Sequence, residues 1–270
     1  MYPENIGPYL SIDETSVSLG ELYTIVTNKN KKGKKGSIVA IIKGTSSKDI
    51  IPILLIISSE KRFSVKEVTL DMAGSMNLII DKCFPRAMKV IDRFHVQKLA
   101  YDAVQQLRIK HRWEAIEEEN NGLSIDYSNG DSKKQLLARG RFALYKSKSN
   151  WTVSQATRAG IMFQEYPDIK LAYELAQKLS YIYENSDSRL VGLARMARWF
   201  NEIEQSGFKV FKTVKGTFER HYENIINYFE RRNTNASAES FNAKIKNFRR
   251  QLRGVKDTKF LLFRLAKIYA

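Results

Sequence analysis

Strand-forming runs are confined to the first third of the chain, and the order in which helices interrupt them limits the folds available. Pro8 to Asp13 (PYLSID), Leu22 to Thr27 (LYTIVT) and Ser37 to Lys43 (SIVAIIK) are short apolar or β-branched runs bounded by glycine or polar turn residues, the pattern of three consecutive strands. A helix follows that Ser47 or Asp49 can cap and that buries Ile53, Leu54, Ile56 and Ile57. Pro52 is tolerated only in a first turn, which favours Asp49 as the cap; the run IIPILLII also reads as a buried strand. Val65 to Asp71 alternates as a half-buried strand, Gly74 to Cys83 predicts a helix that stops before Pro85, and Ala87 to Ile91 predicts a fifth strand leading into Asp92-Arg93-Phe94-His95. The order βββαβαβ predicts an α/β protein with a mixed five-stranded sheet, an antiparallel meander extended by two parallel, helix-connected strands.

Beyond His95 helical periodicity takes over. Val96, Leu99, Val104, Leu107 and Trp113 suit one long helix ending near Gly122, and 121–131 reads as a loop. Further helices are predicted over 133–145, 153–164, 168–185, 189–205 and 211–230, separated by Gly, Pro or Asn/Ser/Asp clusters. No repeat of fixed period is present, which sets solenoids aside. The chain therefore divides into a mixed segment, 1–95, an all-helical block, 96–230, and a basic C-terminal segment, 231–270.

Charge narrows the partner. Lys plus Arg total 45 against 29 Asp plus Glu, a net +16 with a pI near 9.7, which points to a polyanion and first to nucleic acid. The excess gathers in two places. The loop NKNKKGKKG between the second and third strands carries Lys29, Lys31, Lys32, Lys34 and Lys35; it is expected to be too polar to pack and is suited to phosphate. Residues 231–270 hold eleven Lys/Arg against Glu239 and Asp257, nine of the sixteen net charges. The single cysteine, Cys83, excludes an internal disulfide, and with three histidines the chain lacks ligands for a closed Cys/His zinc site. No apolar run approaches the roughly 18 residues of a membrane span, and the opening MYPENIGPYLSIDE has no secretory signature. The expected location is cytoplasmic, at the nucleoid.

Asp13 and Asp71 end the first and fourth predicted strands. One aspartate at a strand end is as readily an ordinary turn residue. Two on neighbouring strands, at the carboxyl ends where open α/β sheets gather functional groups, face one pocket. Paired carboxylates repel unless a charge sits between them, and all-oxygen ligands suit Mg²⁺ or Mn²⁺. Alternation turns Glu14 to the other side of the strand. A third acid, Glu239, opens a helix that Asn235 or Ser237 can cap, with Phe241, Ile245, Phe248 and Leu252 as its apolar stripe. A glutamate in a first turn is usually a solvated residue favoured by the helix dipole. Here it heads a face continued by Asn242, Lys246, Arg249 and Arg253, with Arg250 beside them, suited to track phosphates.

Ser11-Ile12-Asp13-Glu14, Thr69-Leu70-Asp71-Met72, Phe84-Pro85-Arg86-Ala87, Asp92-Arg93-Phe94-His95-Val96 and the run NASAESFNAKIK from Asn235 to Lys246 together resemble the DDE transposases of bacterial insertion sequences, specifically the class named ISL-three, over nearly the whole chain. The resemblance implies a ribonuclease H-like fold with a helical insertion between the fifth strand and the helix that delivers the glutamate. It implies Asp13 and Glu239 as first and last ligands of two Mg²⁺ or Mn²⁺ ions. The resemblance leaves the middle ligand between Asp71 and Asp92, the acid of the DRFH run, and favours Asp71, because related transposases carry it at the end of the fourth strand; Asp92 and His95 then match an auxiliary pair about twenty positions later. The implied chemistry is strand cleavage by activated water, then attack of the freed 3′-hydroxyl on target DNA. Full-length members also carry an N-terminal zinc-binding and helix-turn-helix region, whereas here Asp13 lies close to the start. Transposon ends and target DNA are thus the expected partners, with a separate DNA-binding polypeptide and a homo-oligomer on DNA. A structure-specific nuclease without end joining and a catalytically idle DNA-binding remnant are the competing expectations.

Overall fold

A computed structural model describes residues 1–18, 21–123, 126–231, 241, 243–245, 247–248, 250 and 257–270. Contacts within the chain group it into two units, residues 1–95 with 221–270, and residues 96–220.

The first unit holds β1 (Tyr9–Ser18), β2 (Glu21–Asn28), β3 (Ile38–Lys43), β4 (Glu67–Leu70) and β5 (Met88–Ile91) in the order β3-β2-β1-β4-β5. β1, β2 and β3 pair antiparallel, whereas β4 runs parallel to β1 and β5 parallel to β4, the mixed sheet that the element order predicts. One expectation needs correcting. β1 does not end at Asp13 but continues to Ser18, because β2 goes on pairing with it as far as Ser18↔Glu21. Its ladder with β4 stops at Ser11↔Thr69, so Asp13 lies on a strand that has lost its parallel neighbour.

α1 (Ser47–Leu55), α2 (Ser59–Phe63) and α3 (Gly74–Cys83) join the parallel strands, and α1 and α3 pack on each other and on β3 and β4. The cap of α1 is Ser46, whose hydroxyl accepts from the Lys48 N–H at 3.3 Å, not Asp49. Pro52 therefore falls inside the helix. Its missing N–H costs a backbone hydrogen bond, which the burial of Ile50 and Leu54, one turn apart, offsets. Ile56, expected inside, is 74% exposed, and Ile57 takes the inward position.

The second unit is helical. It contains α4 (Arg93–Asn120) from Val96 onward, α5 (Lys133–Arg139), α6 (Val153–Glu165), α7 (Pro167–Asn185), α8 (Arg189–Ser206) and α9 (Lys209–Ile226) as far as Arg220. Capping boxes at Ser132 and Thr152 start α5 and α6, satisfying N–H groups that a helix start otherwise leaves open. The inward stripe of α4 is Val96, Ala100, Ala103, Val104 and Leu107. Trp113 was expected there but is 63% exposed: six residues past Leu107 is about 240° around the helix, off the stripe.

The chain then returns to the first unit through α10 (Tyr228–Arg231), helical residues between Phe241 and Arg250, and α11 (Thr258–Tyr269), capped by Asp257. Phe241, Ile245, Leu261 and Leu265 form one core cluster with Tyr23, Ile25 and Ile38 of β2 and β3. Among the described residues no helix is long and apolar enough to cross a membrane.

Candidate active site

Register lines up three aspartates. The β1–β4 ladder pairs Tyr9 with Glu67 and Ser11 with Thr69, so continuing it sets Asp13 level with Asp71. The β4–β5 ladder ends at Leu70↔Ile91, and the Asp92 N–H carries on to the Leu70 carbonyl at 3.0 Å, which sets Asp92 beside Asp71. Because side chains alternate along a strand, Ser11, Asp13 and Thr15 share a face with Glu67, Thr69 and Asp71 and with Val90 and Asp92. The opposite face carries Leu10, Ile12, Val26, Val68 and Leu70, all buried.

Local backbone fixes each carboxylate. Oδ1 of Asp13 accepts from the Glu14 N–H at 2.8 Å, and Oδ1 of Asp71 from the Ala73 N–H at 2.8 Å. Oδ1 of Asp92 accepts from the Phe94 N–H at 3.3 Å, at the entrance to α4. Asp13 and Asp71 are half-buried, whereas Asp92 is only 3% exposed. His95, half-buried in the first turn of α4, meets the Phe94 ring edge-on, with centroids 5.9 Å apart.

Sequence reasoning missed two charged groups here. Glu14, which alternation turns to the other side of the strand, has a carboxyl held above the usual range, first by burial and then by the charges of Asp71 and Asp13. Lys29, counted with a loop too polar to pack, is buried: its ammonium donates to Thr69 Oγ1 at 2.6 Å and pairs with Glu67 Oε1 at 3.2 Å. Burial pulls this ammonium below the ordinary lysine value, while Glu67 and, more weakly, Asp92 push it back up. The stem that lets Lys29 reach across β1 to β4 is long and apolar. No periodicity signals such a reach.

The other loop lysines, Lys31, Lys32, Lys34 and Lys35, are exposed as expected. The turn depends on left-handed backbone at Lys32, Gly33 and Gly36, which glycine adopts without strain. Two contacts bring the second basic cluster to it. Lys244 Nζ donates to the Gly33 carbonyl at 3.0 Å, and the Ser37 N–H donates to the Tyr269 carbonyl at the end of α11 at 2.8 Å. Arg250 is exposed. Glu239, Asn242, Lys246, Arg249 and Arg253 lie outside the described residues.

The donors at the row are hard carboxylate oxygens, which fit Mg²⁺ or Mn²⁺. Flanking Asp13 on its face, the hydroxyls of Ser11 and Thr15 are buried without a partner among the described residues, a polar lining that apolar packing does not explain. Among the described residues no three acidic, imidazole or thiol groups are gathered to close a metal site.

Two chain segments flank the gap in the described residues. Arg231 donates to the Tyr9 hydroxyl and lies over the Tyr9 ring at 5.4 Å, two strand positions below Ser11 on the carboxylate face. Phe241 packs in the cluster of Ile25, the cross-strand partner of Asp13.

A family profile described as a transposase, of the DDE type and ISL-three class, matches residues 10–265. No curated protein and no solved structure matches the chain.

Proposed function

The chain belongs to the ISL-three family of DDE transposases, and on that premise we propose that it cleaves DNA strands and joins the freed 3′ ends to target DNA through Asp13, Asp71 and Glu239 on a ribonuclease H-like core. In this reading residues 1–95 and 231–270 build the core and residues 96–230 are an insertion into it, whose last stretch, 221–230, groups with the core.

The observation that supports it best is the register row together with its flanks. The β1–β4 ladder ends at Ser11↔Thr69, and carried two residues further its register brings Asp13 level with Asp71. Phe241, two residues after Glu239 in the sequence, belongs to the core cluster that includes Ile25, the cross-strand partner of Asp13.

Asp13, Asp71 and Glu239 would hold two Mg²⁺ or Mn²⁺ ions. Such ions, when bound, activate water or a 3′-hydroxyl and stabilise the departing oxygen. Asp92, buried and bonded to the first turn of α4, is a positioning carboxylate that fixes the end of β5. His95 follows it toward the scissile-strand phosphate. Lys31, Lys32, Lys34 and Lys35, with Asn242, Lys246, Arg249, Arg250 and Arg253, neutralise the DNA backbone. Phosphate contacts carry no sequence information, so choosing the element's ends falls to a different DNA-binding module, in this polypeptide or another. Acting on two ends together requires at least two copies of the chain on the DNA.

The test is strand transfer of a labelled oligonucleotide 3′ end into plasmid DNA with Mn²⁺. Transfer is expected with the unaltered chain and is lost in Asp13→Asn, Asp71→Asn and Glu239→Gln. Transfer persisting in Glu239→Gln would overturn the assignment, and cleavage without joining would mark a nuclease.

A further inference from the structure

α11 turns Leu261 and Leu265 into the core and leaves a second, outward face made of Lys259, Phe260, Phe263, Arg264, Lys267 and Ile268. These positions recur at i, i+4 and i+8, so they form one stripe. Phe260, Phe263 and Ile268 are 44%, 55% and 40% exposed. The three cations beside them are exposed too. No acid shares the stripe: the nearest, Asp257, is the helix cap, its Oδ1 accepting from the Lys259 and Phe260 N–H groups.

Two phenyl rings left in water over two helical turns are not explained by the core, and the choice of neighbours narrows what covers them. A second protein surface would be matched by apolar residues with few charges, whereas here every gap between the apolar groups is filled by a cation. Lys267 Nζ sits 5.1 Å from the Phe263 ring centroid, joining a flat apolar surface and a positive charge in one unit. Rings offer stacking surface to any base, and adjacent cations follow the phosphates. Duplex DNA hides its base faces, so only an unpaired strand uses both features. The C-terminal end of α11 also adjoins the end of the lysine loop through the Ser37–Tyr269 backbone bond.

We propose that the outward face of α11 is a platform for single-stranded DNA, seating bases on Phe260 and Phe263 and backbone phosphates on Lys259, Arg264 and Lys267. It rests on the reading of DNA as substrate. Strand cleavage at the carboxylate row frees a strand that can leave its partner, and the platform would hold such a strand.

The experiment is equilibrium binding of the full chain to a fluorescent oligothymidine and to a hairpin duplex of equal phosphate number, without divalent ions. Phe260→Leu with Phe263→Leu keeps apolar helix-forming side chains but removes the rings. It is expected to weaken oligothymidine binding about tenfold or more and to leave duplex binding within about twofold. Phe260→Tyr with Phe263→Tyr retains the affinity. Arg264→Gln with Lys267→Gln weakens both ligands and lowers the log–log salt slope for the single strand by about 1.4. Unchanged oligothymidine affinity in the leucine variant, equal loss for both ligands, or a shift in sedimentation that reveals a second copy on this face would each overturn the proposal. Because binding is read without metal, lost strand transfer with intact binding sinks the catalytic reading alone. Normal strand transfer with ring-independent binding sinks the platform alone.

Discussion

Asp131 of the helical unit and Glu14 of the sheet unit have carboxyls shifted in opposite directions. In the helical unit Asp131 is 1% exposed and accepts from Arg158 Nε at 2.6 Å and also from Arg139 and Asn129. Burial alone would raise its carboxyl, but the two arginines outweigh burial and hold it below the usual range. In the sheet unit burial first, and then the charges of Asp71 and Asp13, drive Glu14 the other way. Asp131 and, in the sheet unit, Glu67 are given cations, whereas the carboxylates proposed for chemistry are set beside their own kind. The contrast is between two sites: Arg139 and Arg158 hold Asp131, whereas on the proposed reading the carboxylate row tolerates repulsion where a cation can later enter.

Removing one acid from each unit separates the two roles most sharply. Asp71→Asn is expected to lower strand transfer by more than about 10³-fold without lowering the thermal midpoint measured in chelator. A midpoint that falls with activity would mean that the aspartate serves the fold. Adding Mn²⁺ raises the midpoint of the unaltered chain, since a ligand bound only by the folded state stabilises it, and this rise is absent from Asp71→Asn.

Lys29 tests whether the carboxylate face can carry charge without the same solution. Lys29→Met leaves Glu67, 1% exposed, as a buried anion that has lost its cation; the expected cost is about 3–5 kcal/mol, read from urea unfolding. Lys29→Met with Glu67→Leu is expected to recover most of that loss, because a well-packed apolar pair often replaces a buried ion pair at little cost. Failure of the double variant to recover would mean that Lys29 acts through Thr69, which its ammonium also reaches.

These groups mark the limit of what the sequence discloses. Strand order, the mixed pairing and the start and end of α3 follow from alternation, glycine and proline, because these act over a few residues. The level placement of Asp13, Asp71 and Asp92 is half legible. Each sits at or near a strand end, but register comes from pairing, and the length of β1 was underestimated because its continuation depends on β2. The cap of α1 was misplaced since Thr45, Ser46, Ser47 and Asp49 all offer a capping oxygen and Pro52 was given more weight than the buried pair Ile50 and Leu54. Lys29 and Glu14 were illegible for a different reason: their surroundings are assembled by strands distant in sequence.

Asp131→Asn is the next step down, at about 3 kcal/mol, less than a fully buried pair because Arg139 is half exposed. Its sign with pH is fixed by the lowered carboxyl. The stabilisation is fully present above the unfolded value near 4 and is lost as pH falls through the depressed folded value. Urea midpoints of the unaltered chain and of Asp131→Asn should therefore differ at neutral pH and converge in acid, with strand transfer near normal at neutral pH. A gap that persists in strong acid would assign the loss to packing.

The smallest effect probes the other side of the contrast. Glu14 has its carboxyl raised, so ionising it costs the folded state stability as pH rises through that value, the reverse of Asp131. Glu14→Gln removes the cost, and in chelator its midpoint should rise slightly at neutral pH and match the unaltered chain below pH 4. Mn²⁺ should shrink the advantage, because a cation among the aspartates cancels the field that Glu14 feels. If Glu14→Gln instead removes the midpoint gain that Mn²⁺ gives, then Glu14 is a ligand, and the row would hold its ions with a carboxylate from each side of β1.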